Sequence, residues 1–357
     1  MKKTVYGNIE DLVVHVTLVT PQGVIRRNAA VSRVSAGPDL HQMIMGSEGT
    51  LGVITEVVIK IRPFPEVERY GSIAFPDFFS GVRCLRQVAK ERLRVSSIRL
   101  MDNTQFRLGK GLSPAAGWLK SVKDYLAKRY VTAWKGFDMT QMTVATLLVE
   151  GYTEKEVELL SSRVFSIAAS FGGFSAGEEN GRRGYTMTFS IAYIRDFCLD
   201  YGVFAESFET SVPWDRVLHL CHNVKKRVEA DCGKRPFILE HVTSCRVTQC
   251  YDDCACVYFY MGITIDKQFQ GDPCAVYEEL EHSARNEILA SGGTISHHHG
   301  VGKIRQHWLP ETITPTGVAA LKAVKKELDP HNIFAAGNLY TMDSPPEDDS
   351  SQTKAKL

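Results

Sequence analysis

Three consecutive histidines, His297, His298 and His299, are the most unusual chemical feature of the chain. In extended backbone, His297 and His299 share one side and His298 faces the other. Two imidazoles on one side could contribute to a metal site, but neither an H-E-x-x-H motif nor a regularly spaced acid completes it. Gly300 and Gly302 favour a loop in which the backbone approaches a bound anion. The cluster is therefore interpreted as polar residues beside a ligand, and no metal site is predicted.

A second candidate site is the glycine-rich stretch Gly46-Ser47-Glu48-Gly49-Thr50-Leu51-Gly52, which precedes a predicted strand. Three glycines spaced three apart let several backbone N–H groups converge on a diphosphate. The stretch contains neither the lysine of a Walker A motif nor the pattern G-x-G-x-x-G. From the residues alone, a tight turn and a phosphate-binding loop both stay open.

Three further side chains could take part in chemistry. Tyr258 lies on a predicted strand; such a tyrosine is either a general acid or base, where a cation or dipole lowers its pKa from about 10, or a core aromatic whose hydroxyl is satisfied. Arg99 and Arg195 are each flanked by apolar residues. Each could pair with a carboxylate close in sequence, Asp102 or Asp196, or bind an anionic substrate group through two hydrogen bonds.

The elements that must position these side chains are a mixture of strands and helices. Alternating and β-branched residues predict strands at 11–25, 51–63, 144–151 and 255–265, the first broken as a hairpin at Pro21-Gln22-Gly23. Apolar residues at helical spacing predict helices at 154–171, 213–230, 274–290 and 315–328. Pro213 suits the first turn of its helix. Because no repeating βαβ unit with a dinucleotide fingerprint is present, an α+β architecture fits better than a doubly wound one.

The composition limits the classes of partner. Of the 357 residues, 44% are hydrophobic and 23% are charged, which is ordinary for a soluble globular protein. The 42 Lys and Arg against 41 Asp and Glu give a net charge of +1, so no nucleic-acid partner is expected. No apolar run approaches the roughly 20 residues that span a bilayer, so any membrane contact is expected to be peripheral. The nine cysteines, including Cys250, Cys254 and Cys256, are predicted to be free thiols in a reducing compartment.

Several of these stretches resemble a group of flavoproteins. "GGTISHHHGVGK" and "MGSEGTLGVITE" resemble two motifs of the vanillyl-alcohol-oxidase type of FAD protein. With "YGNIEDLVV", "SIRLMDN", "IAYIRD", "ESFETSVPWDR", "SCRVTQ" and "YFY", they resemble the alkyldihydroxyacetonephosphate synthase family from about Lys3 to Tyr340. The resemblance implies ether-lipid biosynthesis. The implied reaction is an FAD-dependent exchange, without net redox change, of the acyl group of acyl-dihydroxyacetone phosphate for a long-chain fatty alcohol, giving alkyl-dihydroxyacetone phosphate.

The resemblance also implies roles for individual residues. Tyr258 would be the acid/base tyrosine that moves the proton of the substrate carbon. Arg195 would bind the anionic end of the substrate, and Arg99 would support the active site near the flavin. His297, His298 and His299 would line the reacting centre. The residues implied to contact FAD are Glu48, Gly49, Thr50, Leu51, Gly52, Val53 and Ile54.

The same resemblance divides the chain into four segments. Residues 1–62 would be the C-terminal half of an FAD-binding domain, 63–302 a larger α+β cap or substrate domain, 303–341 a segment returning to the FAD lobe, and 342–357 a disordered tail. Family members carry a longer N-terminal part with a glycine-rich pyrophosphate loop. We therefore expect this chain to be a fragment, an alternative product or a truncated gene model, with an incomplete FAD-binding lobe.

The end of the chain carries a targeting pattern. Ala355-Lys356-Leu357 is a close variant of the Ser-Lys-Leu peroxisomal address, so we expect the peroxisomal import receptor to bind it. The sequence leaves open whether the chain forms a homodimer.

Two other functions stay open from the sequence. One is a truncated, non-catalytic fragment that does not retain FAD. The other is an FAD-dependent 2-hydroxyacid dehydrogenase, a class that usually has Glu-His-Gly where this chain has His298-His299-Gly300.

Overall fold

The computed structural model describes residues 2–111 and 129–342 of the chain. Its strands are β1 Val13–Thr20, β2 Gly23–Ile25, β3 Val53–Ile59, β4 Val67–Phe75, β5 Ser97–Met101, β6 Thr143–Gly151, β7 Phe174–Ser175, β8 Val203–Pro213, β9 Ile238–Cys250 and β10 Cys254–Ile265. Its α-helices are α1 Lys3–Tyr6, α2 Ile9–Leu12, α3 Leu40–Ile44, α4 Phe78–Lys90, α5 Asn103–Gly111, α6 Glu154–Ser170, α7 Glu178–Asp200, α8 Val217–Gly233, α9 Pro273–Ala290 and α10 Leu309–Leu328. Residues 343–357, with the predicted targeting pattern and all but the first residue of the predicted tail, lie outside the described residues.

The chain divides into two compact units. The larger contains Met1–Asn8 and Arg62–His298, and the smaller contains Ile9–Ile61 and His299–Leu357. The predicted boundaries, after 62 and after 302, differ from this division in two places. They group residues 1–8 with the FAD lobe and residues 299–302 with the cap domain.

Hydrogen bonds explain this grouping. In the larger unit, the hydroxyl of Tyr6 donates to Glu150 at 3.2 Å, and Lys2 forms an ion pair with the same carboxylate. In the smaller unit, the backbone N–H groups of Val301 and Gly302 both donate to the side chain of Glu48 at 2.7 Å. The hydrogen bonds of these residues, and not their place in the sequence, therefore decide to which unit each residue belongs.

The larger unit is built on a seven-stranded antiparallel sheet with the strand order β7-β4-β6-β5-β9-β10-β8. Successive side chains of a strand point to opposite faces. Strand β10 therefore directs Val257, Phe259 and Met261 into the main apolar core and Tyr258 and Tyr260 to the opposite face. The antiparallel sheet with its helices confirms the predicted α+β class.

Helices α8 and α9 cover the core side of this part of the sheet. Leu220 of α8 and Leu280 of α9 are fully buried members of the main core, each contributing about 1.5–3 kcal/mol by burial. Helix α9 begins at Pro273, one residue before the predicted start at 274. The side chain of Asp272 caps it by accepting a hydrogen bond from the N–H of Cys274, and Pro273 suits the first turn.

The predicted helix at 213–230 begins too early. Pro213 is the last residue of β8, and α8 begins at Val217. Between them, the N–H of Arg216 donates to the carbonyl of Pro213 at 2.9 Å, which forms a turn. Trp214 is buried, as its place in the apolar pattern predicts, but it lies in this turn and not in the helix. Its indole N–H donates to the carbonyl of Tyr251 at 2.8 Å.

The smaller unit contains a three-stranded antiparallel sheet with the strand order β2-β1-β3. The predicted hairpin is confirmed, since Thr20 pairs with Gly23 across the turn. Val16 and Leu18 of β1 pack with Ile44 of α3 in a small core.

Helix α10 bends within its length. Thr314 has a φ of 68°, and Pro315 follows it. A residue before proline is sterically disfavoured in the helical region, so the bend lies where the predicted helix at 315–328 begins. Among the described residues, no helix combines the length and the apolar character needed to cross a membrane.

Candidate active site

A row of polar side chains crosses strands β8, β10 and β9 of the larger sheet, on the face opposite the main core. Tyr258 of β10 lies directly between Glu209 of β8 and Arg246 of β9. Directly opposed residues share a face and contact each other. Glu209 and Arg246 are only 1% and 8% exposed, and Arg246 donates a hydrogen bond to the hydroxyl of Tyr260. The register therefore joins an acid, a phenol and a guanidinium in one row.

Arg99 adds a second buried cation to this sheet. It lies on β5 at 2% exposure, and its guanidinium carbon is 4.8 Å from the ring centre of Tyr185. Burial, helped by the charge of Arg246, lowers the pKa of Arg99 to about 10, so it stays charged at neutral pH. Asp102, the carboxylate close to Arg99 in sequence, accepts a hydrogen bond from Lys225 at 3.0 Å. Two buried guanidinium groups make this part of the sheet favourable for anions.

Glu209 also fixes the segment that carries the histidines. Its carboxylate accepts hydrogen bonds from the hydroxyl of Ser296 at 2.7 Å, from the backbone N–H of His298 at 3.2 Å and from the backbone N–H of His297. The backbone of Ser296–His298 is thereby attached to β8.

The two histidine rings connect two tyrosines. The hydroxyl of Tyr251 lies 2.7 Å from Nε2 of His297, and Nδ1 of His297 lies 2.8 Å from Nδ1 of His298. Nε2 of His298 lies 2.6 Å from the hydroxyl of Tyr258. These four rings form one continuous hydrogen-bonded chain, in which the tautomers decide which atoms donate.

The environment of Tyr258 keeps its phenol protonated. Burial is the main cause that raises the pKa of Tyr258. The ionisable neighbours Cys256, Tyr260 and Glu209 raise it further, and the charge of Arg246 lowers it only in part. A phenol with a raised pKa acts as a base only if a neighbouring group accepts the hydroxyl proton while the phenol oxygen takes a proton from the substrate. His298 is in hydrogen-bonding contact for that role.

Arg195 has a different setting. It is exposed on α7 and forms ion pairs with Glu206 of β8 at 2.9 Å and with Asp196 at 3.2 Å. The hydrogen bond that Arg195 donates to Glu206, followed by those it donates to Asp196, raises the pKa of Arg195. The pairing with Asp196 that the sequence left open is therefore present, together with a second carboxylate.

In the smaller unit, Glu48 occupies the position of the expected anion. Its φ is 50°, and its two carboxylate oxygens accept from the N–H groups of Val301 and Gly302, each at 2.7 Å. Gly300 and Gly302 have positive φ values of 85° and 56°, which turn these N–H groups to one side. The anion that the glycines bind here is a side chain of the same unit.

The other predicted cofactor contacts fall into two groups. Thr50 and Leu51 are buried in the smaller unit, whereas Val53 and Ile54 are exposed. Gly46 has a φ of 88°, and a Cβ added to it would meet nothing within 4 Å, so a ligand can reach this backbone closely. The open backbone at Gly46 and the exposed apolar side chains of Val53 and Ile54 fit a flat cofactor such as FAD, held through main-chain and apolar contacts. At Gly52, in contrast, an added Cβ would lie 2.3 Å from the carbonyl oxygen of Val19, so this glycine is packed against β1.

Comparison with known proteins assigns the chain to a family. The family described as FAD linked oxidases, C-terminal domain, matches residues 64–339, which is most of the chain. The chain belongs to this family.

Named relatives of this family are similar along almost the whole chain. An alkyldihydroxyacetonephosphate synthase from Caenorhabditis elegans is 51% identical over 95% of this chain and 56% of its own length. The synthase from Dictyostelium discoideum is 30% identical over 92% of this chain and 52% of its own length. The chain thus spans about half the length of the curated relatives that it matches.

Solved structures show the same fold. An alkyldihydroxyacetonephosphate synthase structure superposes with a TM-score of 0.72 at 24% identity, over 94% of this chain and 55% of the other. A p-cresol methylhydroxylase structure with bound substrate superposes with a TM-score of 0.64 at 14% identity, over 94% of this chain and 68% of the other. At these identities the likeness concerns the fold, and it agrees with the vanillyl-alcohol-oxidase type expected from the motifs.

Within this member of the FAD-linked oxidase family, the structure joins only part of the predicted site. Tyr258, His297 and His298 are in direct contact in the larger unit, whereas His299 belongs to the smaller unit. Sequence reasoning missed Glu209, Arg246 and Tyr251. A charged residue inside an alternating apolar stretch, as in "HVTSCRVTQ", would have been the signal for Arg246.

One group of side chains has the spacing of a metal site. Ligand atoms of Glu209, Cys256, His297 and His298 all lie within 4.8 Å of one another. In this family member, the Glu209 carboxylate already accepts three hydrogen bonds, and the Nδ1 atoms of the histidines bond to each other. Burial raises the pKa of the Cys256 thiol to about 12, so it is a neutral thiol near pH 7. Hydrogen bonding therefore accounts for the arrangement, and the absence of a metal stays a prediction.

Proposed function

We propose that this chain acts, with FAD, in ether-lipid biosynthesis by exchanging the acyl group of acyl-dihydroxyacetone phosphate for a long-chain fatty alcohol. The observation that carries the proposal is the 2.6 Å hydrogen bond between Tyr258 and His298, on a sheet that also holds the buried cations Arg99 and Arg246. It pairs an acid–base group with positive charge suited to a phosphorylated substrate. The names of the relatives at 51% and 30% identity support the same reaction.

Tyr258 and His298 would handle the proton of the substrate carbon. As the phenol oxygen takes this proton, the hydroxyl hydrogen of Tyr258 passes to Nε2 of His298, and the reverse transfer returns a proton later. Arg246, opposite Tyr258 on β9, would stabilise negative charge on the phenol oxygen during the transfer. When bound, FAD would supply the covalent chemistry of the exchange, held by Gly49 and by the exposed Val53 and Ile54.

The assay that tests this function uses the chain incubated with FAD, acyl-dihydroxyacetone phosphate and a radiolabelled long-chain alcohol. Label appearing in alkyl-dihydroxyacetone phosphate, with release of fatty acid, is the expected result. Reduction of the flavin by D-lactate without alkyl transfer would support the 2-hydroxyacid dehydrogenase alternative instead. A chain that binds no FAD would support the non-catalytic alternative.

Arg195→Ala tests the anchor for the anionic end of the substrate. The guanidinium is exposed and held in position by Glu206, so it can share its remaining N–H donors with a phosphate. A charged hydrogen bond contributes about 1.5–3 kcal/mol, so kcat/KM should fall by roughly 10-fold to 100-fold or more while FAD stays bound.

Arg182→Ala is the matched control for this variant. Arg182 lies on the same helix and pairs with Glu178 at 3.2 Å in a similarly exposed position. It should leave kcat/KM near the wild-type value. Equal losses in both variants, or no loss in Arg195→Ala, would remove Arg195 from the substrate site.

We also propose peripheral membrane contact through the end of α7. Tyr193, Phe197 and Tyr201 are spaced four apart, so they form one stripe, and they are 77%, 60% and 69% exposed. Aromatic side chains favour the membrane interface. Phe197→Asp should lower binding to phospholipid vesicles by roughly 10-fold to 100-fold, because it removes an apolar contact of about 1.5–3 kcal/mol.

Co-sedimentation with vesicles measures this effect. Leu159→Asp is the control, since Leu159 is 72% exposed on α6 and lies outside the aromatic stripe. A similar decrease for both variants would mean that the stripe has no special part in membrane contact.

The peroxisomal location proposed from Ala355-Lys356-Leu357 is tested separately by microscopy of the chain with and without these three residues.

A further inference from the structure

We propose that Tyr251 is the solvent-side end of a proton relay that runs from Tyr258 through His298 and His297. The inference rests on the proposed function, because it explains where the proton of the substrate carbon goes after Tyr258 receives it. Tyr251 acts through the two histidines, because its hydroxyl contacts His297 and is three hydrogen bonds away from Tyr258.

The geometry of the chain of rings supports transfer over its whole length. The three contacts are 2.6 Å from Tyr258 to His298, 2.8 Å between the two Nδ1 atoms and 2.7 Å from His297 to Tyr251. All three lie in the range of good hydrogen bonds. Each imidazole uses one ring nitrogen toward each neighbour, so it can accept a proton on one nitrogen and release one from the other.

The contact between the two Nδ1 atoms allows only two neutral arrangements. In the first, Tyr258 donates to His298, Nδ1 of His298 donates to His297, and Nε2 of His297 donates to Tyr251. In the second, all three hydrogen bonds run the other way, and the hydroxyl hydrogen of Tyr258 is directed toward the substrate. Two histidines in this contact therefore always carry opposite tautomers.

Proton transfer converts the first arrangement into the second. The substrate carbon gives a proton to the oxygen of Tyr258, whose own hydrogen moves to Nε2 of His298. The hydrogen on Nδ1 of His298 moves to Nδ1 of His297, and the hydrogen on Nε2 of His297 moves to the oxygen of Tyr251. The former hydroxyl hydrogen of Tyr251 leaves to water. One proton enters at Tyr258 and one leaves at Tyr251, and the reverse sequence returns a proton to the substrate carbon.

Tyr251 has surroundings that suit the outer end of such a relay. Its ring is partly exposed, and its hydroxyl lies 3.3 Å from Oδ1 of Asn8, which orients it. Nζ of Lys3 lies 3.3 Å from the centre of its ring, so a cation stabilises the phenol while its oxygen carries extra electron density. The attachment of the histidine backbone to Glu209 keeps the rings in register.

The first test is nitrogen NMR of histidine side chains in the full chain, comparing wild type with Tyr251→Phe. Loss of the Tyr251 hydroxyl removes the partner of Nε2 of His297 and should change the balance of tautomers two rings away. The expected result is that the Nδ1 and Nε2 signals of His298 shift in opposite directions. Unchanged His298 signals would overturn the relay.

Tyr152→Phe is the control, because its hydroxyl donates to the carbonyl of Pro63 at 3.3 Å and touches neither histidine. It should leave the His298 signals as in wild type. If Tyr251→Phe does not fold, the coupling between the two Nδ1 nitrogens across their hydrogen bond is measured in the unsubstituted protein. Absence of this coupling, or stoichiometric zinc bound to Nδ1 in its place, would overturn the relay.

The second test is kinetic. If the relay serves the reaction, Tyr251→Phe should lower kcat for alkyl transfer by about 10–100-fold, part of the 10²–10⁴-fold that acid–base catalysis contributes, with KM unchanged. Its solvent deuterium isotope effect should exceed that of wild type, because proton movement then limits the rate. An unchanged kcat would show that the relay does not serve the reaction. Absence of alkyl transfer in wild type would count against the proposed function, while the NMR comparison would still decide the hydrogen-bonded chain.

Discussion

Replacing Tyr258 with Phe should lower kcat for alkyl transfer by about 10²–10⁴-fold, the contribution of a well-placed acid–base group. The substitution keeps the ring and removes the oxygen that lies 2.6 Å from Nε2 of His298. The other side chains of the row, Glu209 and Arg246, keep their positions on β8 and β9. FAD binding should be unchanged, which visible absorption of the purified variant measures.

Tyr260→Phe is the matched control for this prediction. Tyr260 lies on the same face of β10, and its ring centre is 6.0 Å from that of Tyr258. Its hydroxyl accepts from Arg246, so the variant removes a phenol without breaking the contact to His298. Near-normal turnover of Tyr258→Phe, or an equally large loss in Tyr260→Phe, would contradict the assignment of Tyr258 as the acid–base residue.

Lys325→Met should destabilise the smaller unit by about 3–5 kcal/mol, the usual effect of removing one partner of a buried ion pair. Lys325 and Asp329 of this pair are each only 1% exposed. Nζ of Lys325 also donates to the carbonyls of Thr50 at 2.8 Å and of Phe334 at 2.7 Å. Methionine fills a similar volume but leaves these acceptors and a buried carboxylate without their cation.

Urea unfolding monitored by hydrogen exchange in 9–61 and 299–342 measures this change. Lys326→Met is the control, because Lys326 is the next residue of α10 and is exposed; it should change the free energy of unfolding by less than about 0.5 kcal/mol. The double variant Lys325→Met with Asp329→Leu should recover only part of the loss: no charge is then buried, but the backbone N–H groups of Ile333 and Phe334 lose their acceptor. Equal stability of Lys325→Met and Lys326→Met would show that the buried pair is not important.

The same pair gives the smaller unit a dependence on pH. Burial raises the pKa of the Asp329 carboxyl, but hydrogen bonds from Lys325 and from the backbone N–H groups of Phe334 and Ile333 outweigh it. The pKa is therefore lower in the folded protein than in the unfolded chain. This contribution to stability is present above the unfolded value of about 3.9 and is lost as the pH falls through the lower folded value.

Local features of the fold were predictable from the sequence where neighbouring residues alone determine them. The hairpin follows from Pro21 and Gln22 between β-branched residues, and the start of α9 follows from Asp272 and Pro273. The start of α8 was not predictable in this way. The apolar spacing continues back to Trp214, which is buried by tertiary contact in a turn.

The candidate site was predictable only as a set of separate motifs. The sequence determined that Tyr258, His297 and His298 are present in stretches resembling one family. Only the tertiary structure decided that Glu209 holds the histidine backbone, that Tyr251 meets His297, and that Asp102 pairs with Lys225. These contacts join residues that are 46 to 123 positions apart, and they depend on the register of the strands and on the path of the connecting loops. The patterns of neighbouring residues do not specify which side chains oppose each other across a sheet, because register depends on the packing of all the strands together.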